Sequence, residues 1–345
     1  MTNTAGTYDI TKIIPTVRWS GDIRQVARSL DFGILSSPTD ITIPKVDLPL
    51  GASVRMIEGG EALFDGFVIT RAKGTEGKVV DASCFDRGFY LKKNKKTYQF
   101  RSQTPEAITA KVCADFNIPT GYITPTGFSL SRNFITGRDS LYDIIGTVYT
   151  LASATTKKAY HIGFRGPRLY VTEKAPDNRT TIIQGGSNLI AANTTESIES
   201  MVNVVKIIDS SGSEVRTMQD DSLIKLYGRM QDVLQQSKDN DRIADAKKLM
   251  DAGGVSQKIT VDNLGNAACV AGGCVVVQEP HTGLYGLFYI ESDVHEWKRG
   301  QYYNKLTLNF KAMMDEKAAG SLPNADGGKS KGNASIAWDY YNKPE

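Results

Sequence analysis

One strand pattern occurs twice in this chain, and the repeat limits the folds that the chain can adopt. Each copy has a glycine before an apolar strand that ends in Glu, a short polar turn, a strand rich in aromatic residues and glycine, and a final alternating strand. The first copy is Gly51–Glu58, Leu63–Thr70 and Lys78–Ser83, and the second is Gly272–Glu279, Leu284–Glu291 and Lys305–Phe310. Two unrelated β-meanders can share these features. If the repeat is genuine, the chain carries two copies of one small barrel.

The first hundred residues contain short segments rich in β-branched and aromatic residues, separated by Gly, Pro and Asp. This pattern predicts a small antiparallel barrel or sandwich over residues 1–101. Asp22–Leu30 is predicted to form one or two helical turns. The predicted strands are Thr16–Ser20, Ile41–Val46, Val54–Ile57, Leu63–Arg71 and Lys78–Cys84.

A compact α+β domain is predicted over residues 102–195. Thr104 and Pro105 are typical of a helix start, and Ser140 is a capping residue before a second apolar helical stripe. Ala159–Phe164 and Arg168–Thr172 are predicted to pair as a hairpin.

Strands resume at Asn203–Asp209 and lead to a second predicted barrel over residues 196–315, with helices at about 220–252. The first of these helices is predicted over Leu223–Leu234, and the next ends at Gly253. The fold class is therefore α+β and mainly β, with two related small antiparallel β-barrels, an α+β insert and a helical excursion. Residues 316–345 have the composition of a flexible tail.

The charge balance argues against a dedicated nucleic-acid binder. Lys and Arg number 41 and Asp and Glu 38, so the net charge is only +3. No apolar run is long enough for a membrane span, and the first residues lack the pattern of a secretory signal. The four cysteines are too few and scattered for a disulfide scaffold, so we expect them to be reduced and mostly buried.

Motifs for cofactors and metals are incomplete, and no cofactor, metal site or catalytic residue is predicted. Gly328-Lys329-Ser330 supplies only half of a phosphate-binding loop, because position 323 is Pro where the motif needs Gly. Cys269 and Cys274 lack a second ligand pair at zinc-finger spacing, although His281 and His295 follow them.

Acidic and histidine residues alternate on Ile290–Trp297, which places Glu291, Asp293 and His295 on one face of a strand. A carboxylate pair beside a histidine is a conceivable hydrolase site. The alternative is that these residues form the solvated face of an ordinary strand, and we favour this second interpretation.

One basic stretch is interleaved with aromatic residues. It is predicted to be the tip of a hairpin or loop, where solvated charge that deters edge pairing is the default interpretation. The alternative is contact with a polyanion or an acidic partner. Its lysines are Lys92, Lys93, Lys95 and Lys96.

The order of these segments resembles the late control protein D and XkdQ-type family of baseplate hub proteins from contractile phage tails. The resemblance covers most of residues 10–312 and rests on the order of several weak motifs. These are Leu63–Arg71, Val79–Gly88, Thr104–Ile108, Met201–Lys206, Gly286–His295 and Tyr302–Leu308.

The resemblance implies a structural protein rather than an enzyme, located in the tail baseplate of a phage or tailocin and made in the host cytoplasm. Hubs of this kind are homotrimers with two tube-like barrels per chain, so that six units join a six-fold tail tube to a three-fold spike. The implied partners are the tail tube protein, the central spike protein and the baseplate wedge proteins, with tape-measure protein and DNA passing through the lumen.

Three aromatic residues near the chain end, Trp338, Tyr340 and Tyr341, are predicted to dock on a neighbouring baseplate or spike protein. A disordered chain end is the alternative. The other functions left open are a tail-associated cell-wall hydrolase and a carbohydrate- or nucleic-acid-binding module.

Overall fold

The computed structural model describes residues 1–4, 6–36, 40–43, 45–74, 79–131, 133–175, 180–236 and 242–319. The chain divides into unit 1, of Met1–Ala192 and Val261–Glu345, and unit 2, of Asn193–Thr260. The fold is mainly β with a few helices, as predicted. Within the residues described, none of the helices combines the length and apolar character that a membrane span requires.

The first segment of the chain is built from strands. They are β1 (Thr2–Asn3), β2 (Gly6–Thr7), β3 (Thr16–Asp22), β4 (Ser29–Leu35), β5 (Ser53–Glu58), β6 (Glu61–Lys73) and β7 (Val79–Asp86). The helical turns predicted up to Leu30 are wrong, because β4 buries alternate side chains at Leu30, Phe32 and Ile34. The strand predicted from Ile41 is also wrong for its described residues, since Ile41 is 92% exposed and lies in a turn.

The middle segment combines helices with short sheets. Its elements are α1 (Gly88–Lys93), β8 (Gln99–Phe100), α2 (Pro105–Asp115), β9 (Thr120–Ile123), β10 (Phe134–Ile135), α3 (Leu141–Thr156), β11 (Tyr160–Arg165) and β12 (Arg168–Glu173). Both predicted helix starts are confirmed, because Thr104 Oγ1 accepts from Ala107 N at 3.3 Å and Ser140 Oγ accepts from Asp143 N at 3.1 Å. The predicted hairpin is β11 and β12, paired antiparallel.

The remaining elements complete the sheet and form unit 2. They are β13 (Thr181–Gln184), β14 (Leu189–Ser197), β15 (Val204–Ile208), β16 (Glu214–Gln219), α4 (Asp221–Tyr227), β17 (Gln231–Gln235), α5 (Ile243–Ala252), β18 (Ser256–Leu264), β19 (Cys274–Glu279), β20 (Leu284–Lys298) and β21 (Gln301–Asn309). The helix predicted through Leu234 ends at Tyr227, because Gly228 stops it and β17 pairs in parallel with β15. The end of α5 before Gly253 is confirmed.

The main sheet contains the same five-strand order twice. Repeat 1 has the order β3-β4-β7-β6-β5, and repeat 2 has the order β14-β18-β21-β20-β19. The middle segment and unit 2 are inserted between strands of this scheme. The predicted internal repeat is therefore present as a repeat of topology.

Local details of the two repeats also match. Gly51 N donates to Val68 O and Val68 N donates to Ala52 O, at 2.8 and 2.9 Å. In repeat 2, Gly272 N donates to Ile290 O and Ile290 N to Gly273 O, at 3.0 and 2.9 Å. Both turn glycines have positive φ, +80° at Gly51 and +88° at Gly272, which favours glycine.

A β-bulge follows at the same place in each repeat. In repeat 1 it lies between Val68 and Thr70, where β6 pairs with β7, and in repeat 2 it lies between Ile290 and Ser292, where β20 pairs with β21. Bulges of this kind insert one residue into a strand and bend it. Val68 therefore corresponds to Ile290, one position away from the match that the sequence repeat implied.

Separate apolar cores stabilise these parts. Repeat 1 buries residues such as Trp19, Phe64 and Val68, whereas the middle segment packs α2 against α3 through residues such as Ile108 and Tyr149. In unit 2, α5 packs its Ala246 on Val205 and Ile207.

The chain after β21 packs along α3. Lys317 N donates to Thr150 Oγ1 at 3.0 Å and Ala319 N donates to Thr147 Oγ1 at 2.8 Å. We call residues 317–319 the strap. Gly146 leaves room for it, because a Cβ at Gly146 would lie 2.6 Å from Lys317 Cγ. The first residues of the segment expected to be a flexible tail are thus held by hydrogen bonds to α3.

Candidate functional site

The most unusual polar site lies where the two repeats meet. The first half of β20 pairs with β19, and its second half pairs with both β21 and β3. The β3–β20 pairing is antiparallel and places Val294 opposite Ser20 and His295 opposite Trp19. Strand β20 therefore belongs to repeat 2 and also joins it to repeat 1.

A buried ion pair crosses this joint. Arg28 Nη1 donates to Asp293 Oδ1 at 2.9 Å, and Nη2 donates to Oδ2 of the same carboxylate. Asp293 Oδ1 also accepts from Ala271 N, and its side chain is fully buried. Arg28 lies against the Trp19 ring, with its Cζ 3.9 Å from the ring centroid. The guanidinium thus has both an anion and an aromatic face as partners.

His295 continues the network on the same side of β20. Its Nδ1 lies 2.7 Å from Asn304 Nδ2 and 2.7 Å from the Tyr302 hydroxyl, and its Nε2 lies 3.1 Å from Asp293 Oδ2. Because an amide nitrogen only donates, Nδ1 accepts and Nε2 carries the hydrogen. Cys269 O, at 3.1 Å, and Asp293 Oδ2 both lie within reach of this hydrogen as acceptors.

The electrostatics of the cluster favour the ionised carboxylate. Burial alone would raise the pKa of Asp293, but the charge of Arg28 and the hydrogen bonds from His295 and Arg28 lower it to about 2. Arg28 and Asp293 therefore form a fixed ion pair whose carboxylate is closed to solvent. Such a cluster can hold strands in register, and it leaves no room for a substrate.

Glu291 lies apart from this cluster. It is the extra residue of the β20 bulge, and its Oε1 accepts from Asn309 Nδ2 at 2.8 Å. The bulge shifts the alternation of β20, so that the buried positions change from Phe288 and Ile290 to Asp293 and His295. The prediction of one shared face is therefore wrong, and so is the solvated face that we favoured.

A second buried carboxylate adjoins the same arginine. Asp86 Oδ2 accepts from Arg28 N at 3.1 Å and its Oδ1 accepts from Gly88 N at 2.8 Å. Burial raises the pKa of Asp86 to about 7, against the lowering effects of these hydrogen bonds and of the Arg28 charge. The turn before β4 is thereby fixed to the start of α1.

The basic stretch forms a helix end rather than the predicted hairpin or loop tip. Lys92 and Lys93 lie in the last turn of α1, where cations interact favourably with the helix dipole. Both are exposed, as is Lys95. Lys96 donates to Asp115 Oδ2 at 2.7 Å and stands over the Tyr98 ring, so it is partly engaged within the chain.

The other predicted features are scattered or lie outside the described residues. The cysteines are free, and Cys84, Cys113 and Cys269 are buried while Cys274 is half-buried. Across the described part of the chain, no three His, Cys, Asp or Glu side chains come together as a metal site needs. Gly328-Lys329-Ser330 and the aromatic residues Trp338, Tyr340 and Tyr341 fall outside the described residues.

Arg28, Tyr302 and Asn304 were missed by the sequence analysis. Arg28 stood in a predicted helical turn, so its pairing with a residue far along the chain had no local signal. Asn304 had a weak signal, because it is polar at a position where β21 otherwise buries Leu306 and Leu308. A polar residue in a buried alternation usually has a buried polar partner.

Two strand edges of the main sheet are unpaired on one side among the described strands. Among the described strands, β14 pairs only with β18, and the last residues of β6, Thr70–Lys73, pair only with β7. Thr70–Lys73 are exposed. Each edge leaves backbone donors and acceptors available for another strand.

Relatives of this chain come from phage-like elements and tails. The Phage-like element PBSX protein XkdQ of Bacillus subtilis (strain 168) is 24% identical over 313 residues, which cover 88% of this chain and 94% of XkdQ. The 43 kDa tail protein of prophage MuSo2 from Shewanella oneidensis has a similar fold, with a TM-score of 0.65 and 14% identity over 88% of this chain and 95% of that protein.

A third similar structure is the E. coli c3393 protein, a component of the type VI secretion system with structural similarity to the T4 bacteriophage tail proteins gp27 and gp5. Its TM-score is 0.54 at 9% identity, covering 86% of this chain and 73% of that one. The fold is thus shared with tail proteins. The YQBQ-like family matches residues 17–309, and this match confirms the resemblance predicted from the sequence. The chain belongs to the YQBQ-like family.

Proposed function

We propose that this protein is a structural hub of a contractile tail baseplate. In this role three copies form a ring that joins the six-fold tail tube to the three-fold central spike. The observation that carries the proposal is the repeated five-strand unit within one chain. Three chains with two similar units each offer six similar surfaces on one side while keeping three-fold symmetry on the other.

The internal joint supports a structural role in which the two repeats keep a fixed geometry. The two repeats are connected by seven residue pairs between β3 and β20, and the Arg28–Asp293 ion pair lies within this connection. A buried, bidentate pair holds its strands in one geometry. A ring of repeats needs such a fixed angle between neighbours.

The same geometry argues against the hydrolase alternative. A cell-wall hydrolase needs carboxylates that reach a substrate, yet Asp293 is 1% exposed and His295 is 0% exposed. Glu291 is separated from both by the bulge and bonded to Asn309. We therefore propose no catalytic role for these residues.

The named relatives support the setting of the proposal. XkdQ belongs to a phage-like element, the MuSo2 protein is a tail protein, and the c3393 protein resembles tail proteins of phage T4. We propose the tail tube protein, the spike protein and the wedge proteins as partners. Tape-measure protein and DNA would pass through the ring.

Electron cryo-microscopy of tail particles from the strain that encodes this chain tests the proposal. We expect three copies in one ring between tube and spike, with the two repeats of each copy alternating around it. A different copy number, or a location outside the baseplate centre, would overturn the proposal.

A further inference from the structure

We propose that the ring closes by strand pairing between copies, with the free side of β14 of one copy joining Thr70–Lys73 of β6 in the next. This inference rests on the proposed function, and it specifies which surfaces meet. The partner of each edge is a second copy of this chain.

The pairing inside the chain serves as the template. After its bulge, β20 leaves β19 and pairs with β3 through residues Ser292–Lys298. The backbone N of Ile23 donates to the O of the bulge residue Glu291 at 2.8 Å, which starts this pairing. The joint is therefore a strand of repeat 1 added to the extended end of a strand of repeat 2.

Strand β6 has the same extended end, which pairs with β7 on one side and with none of the described strands on the other. Val68 corresponds to Ile290, so Thr70–Lys73 correspond to the residues of β20 from Ser292 to His295. On the side facing β5, the last described backbone bonds of β6 are those of Val68 with Gly51 and Ala52. Beyond them Thr70–Lys73 are exposed, and of the four only Arg71 has a described side-chain bond, to Leu48 O.

Strand β14 is the counterpart of β3, and its outer side is open. Both are the first strand of their repeat, and each pairs with the second strand, β4 or β18. Strand β3 uses its other side to bind β20, whereas β14 has no second neighbour among the described strands. Each repeat thus has an outer edge on its first strand and an extended end on its fourth. Within one chain, the edge of β3 pairs with the end of β20. Among the described strands, the edge of β14 and the end of β6 have no such neighbour.

The register of the intermolecular pairing follows from the repeat. In repeat 1, Leu30 of β4 lies opposite both Trp19 and Cys84. In repeat 2, Gly265 N donates to Tyr302 O and Leu264 N donates to Asn188 O. Counting along the strands from these bonds places Asn193 where repeat 1 has Trp19.

It follows that Thr194 corresponds to Ser20 and Ala72 to Val294. Since Val294 lies opposite Ser20 in the joint within the chain, we expect Ala72 of one copy opposite Thr194 of the next. Thr195 would then point to the other face of the sheet, because successive side chains alternate.

The charges of the two edges are complementary. The end of β6 carries Lys73 and also Arg71, which already binds Leu48 O and Asp47 within the chain, and it carries no acid. Strand β14 carries Glu196 and no base. In the joint within the chain the signs are reversed, with the acid Asp293 on β20 and the base Arg28 before β4. Lys73 and Glu196 thus give the two edges opposite charges, which favours contact between copies.

Such a contact is head-to-tail, since β14 and β6 are different surfaces. Head-to-tail contacts form closed rings when the rotation between copies closes. Edge addition also supplies main-chain hydrogen bonds, which suit assembly of an extended sheet.

The test uses cysteine pairs in tail particles assembled with the full chain. In the variant Ala72→Cys with Thr194→Cys, we expect mild oxidation to give covalent dimers and trimers on non-reducing gels, lost after reduction. The variant Ser20→Cys with Val294→Cys is the matched positive control, because it occupies the equivalent positions within one chain. Ala72→Cys with Thr195→Cys is the out-of-register control and should give at least ten-fold less cross-linked product.

Each single variant controls for the native cysteines, three of which are buried. If the positive control closes within the chain but Ala72→Cys with Thr194→Cys gives no intermolecular product, the proposed contact is wrong. In that case the proposed hub role survives if particle images still contain three copies in the ring. Absence of the three-copy ring itself would overturn both proposals.

Discussion

Arg28 and Asp293 lie 265 residues apart in the sequence, yet the guanidinium of one binds both oxygens of the other. The pair ties the turn before β4 to β20 and so connects the two repeats. Removing one member would leave the other as a buried, unpaired charge.

We expect Asp293→Asn to lower the free energy of unfolding by about 3–5 kcal/mol, the usual cost of breaking a buried ion pair. Urea denaturation followed by tryptophan fluorescence measures the change, and Trp19 beside Arg28 is a convenient probe. The control is Glu173→Gln, which breaks an ion pair whose Lys158 is 53% exposed and should cost less than about 1 kcal/mol. Equal effects of the two variants would contradict a structural role for the buried pair.

Asp86 should make stability depend on pH. Its pKa is about 7 in the folded chain against an ordinary value of 3.8, so the folded state retains a proton that the unfolded state loses. Stability contributed by this group therefore falls as pH rises from about 4 to 7. Asp86→Asn cannot ionise, so its melting temperature relative to wild type should increase between pH 4 and pH 8. A pH-independent difference would rule out this titration.

The turn glycines of the two repeats should differ in their tolerance of a side chain. A Cβ at Gly272 would lie 2.5 Å from His161 Cγ, whereas no atom lies within 4 Å of a Cβ at Gly51. Both positions have positive φ, so Gly51→Ala should cost about 1–2 kcal/mol from backbone strain alone. Gly272→Ala should cost about 1–3 kcal/mol more because of overpacking. Thermal unfolding of the two variants makes the comparison, and equal losses would contradict it.

Two truncations separate the strap along α3 from the chain end. Deleting residues 316–345 removes the bonds from Lys317 and Ala319 to Thr150 and Thr147, so we expect a loss of about 1–3 kcal/mol in stability. Deleting residues 320–345 keeps both of these bonds and is the comparison for the longer deletion. If Trp338, Tyr340 and Tyr341 form an anchor, the shorter deletion still weakens association with spike or wedge proteins in pull-down experiments. Unchanged association would remove the anchor hypothesis.

Charge reversal on α1 tests the basic stretch. Lys92→Glu with Lys93→Glu should leave folding intact, because both side chains are exposed. If this surface binds a polyanion or an acidic partner, the double variant loses salt-dependent binding to heparin or to baseplate proteins. Lys96→Gln is the comparison, since Lys96 is paired with Asp115 and should contribute little. Identical binding by wild type and the double variant would exclude the contact.

Local signals in the sequence predicted the elements that depend on local chemistry. The caps at Thr104 and Ser140 and the hairpin of β11 and β12 are confirmed, since each is specified by residues close in sequence. The repeat was found through its turn glycines and aromatic strand. The domain boundaries at residues 101, 195 and 315 stay predictions.

Features that depend on distant partners were missed. Ser29–Leu35 has the alternation of a strand. Its first two residues also end the segment Asp22–Leu30, whose composition predicted helical turns. The one-residue bulge in β20 cannot be predicted from the sequence of β20 alone, because it shows only in the pairing with β21. This bulge decides which of Glu291, Asp293 and His295 are buried. The partner of Asp293 was beyond reach for the same reason.

The length of β20 has a mechanical consequence. One continuous strand of 15 residues serves as the fourth strand of repeat 2 and as the neighbour of β3 in repeat 1. A force that twists one repeat against the other would have to break the seven-pair ladder between β3 and β20 together with the buried Arg28–Asp293 ion pair. If the protein is the proposed baseplate hub, torque from a contracting sheath would be transmitted through this joint rather than absorbed by a hinge.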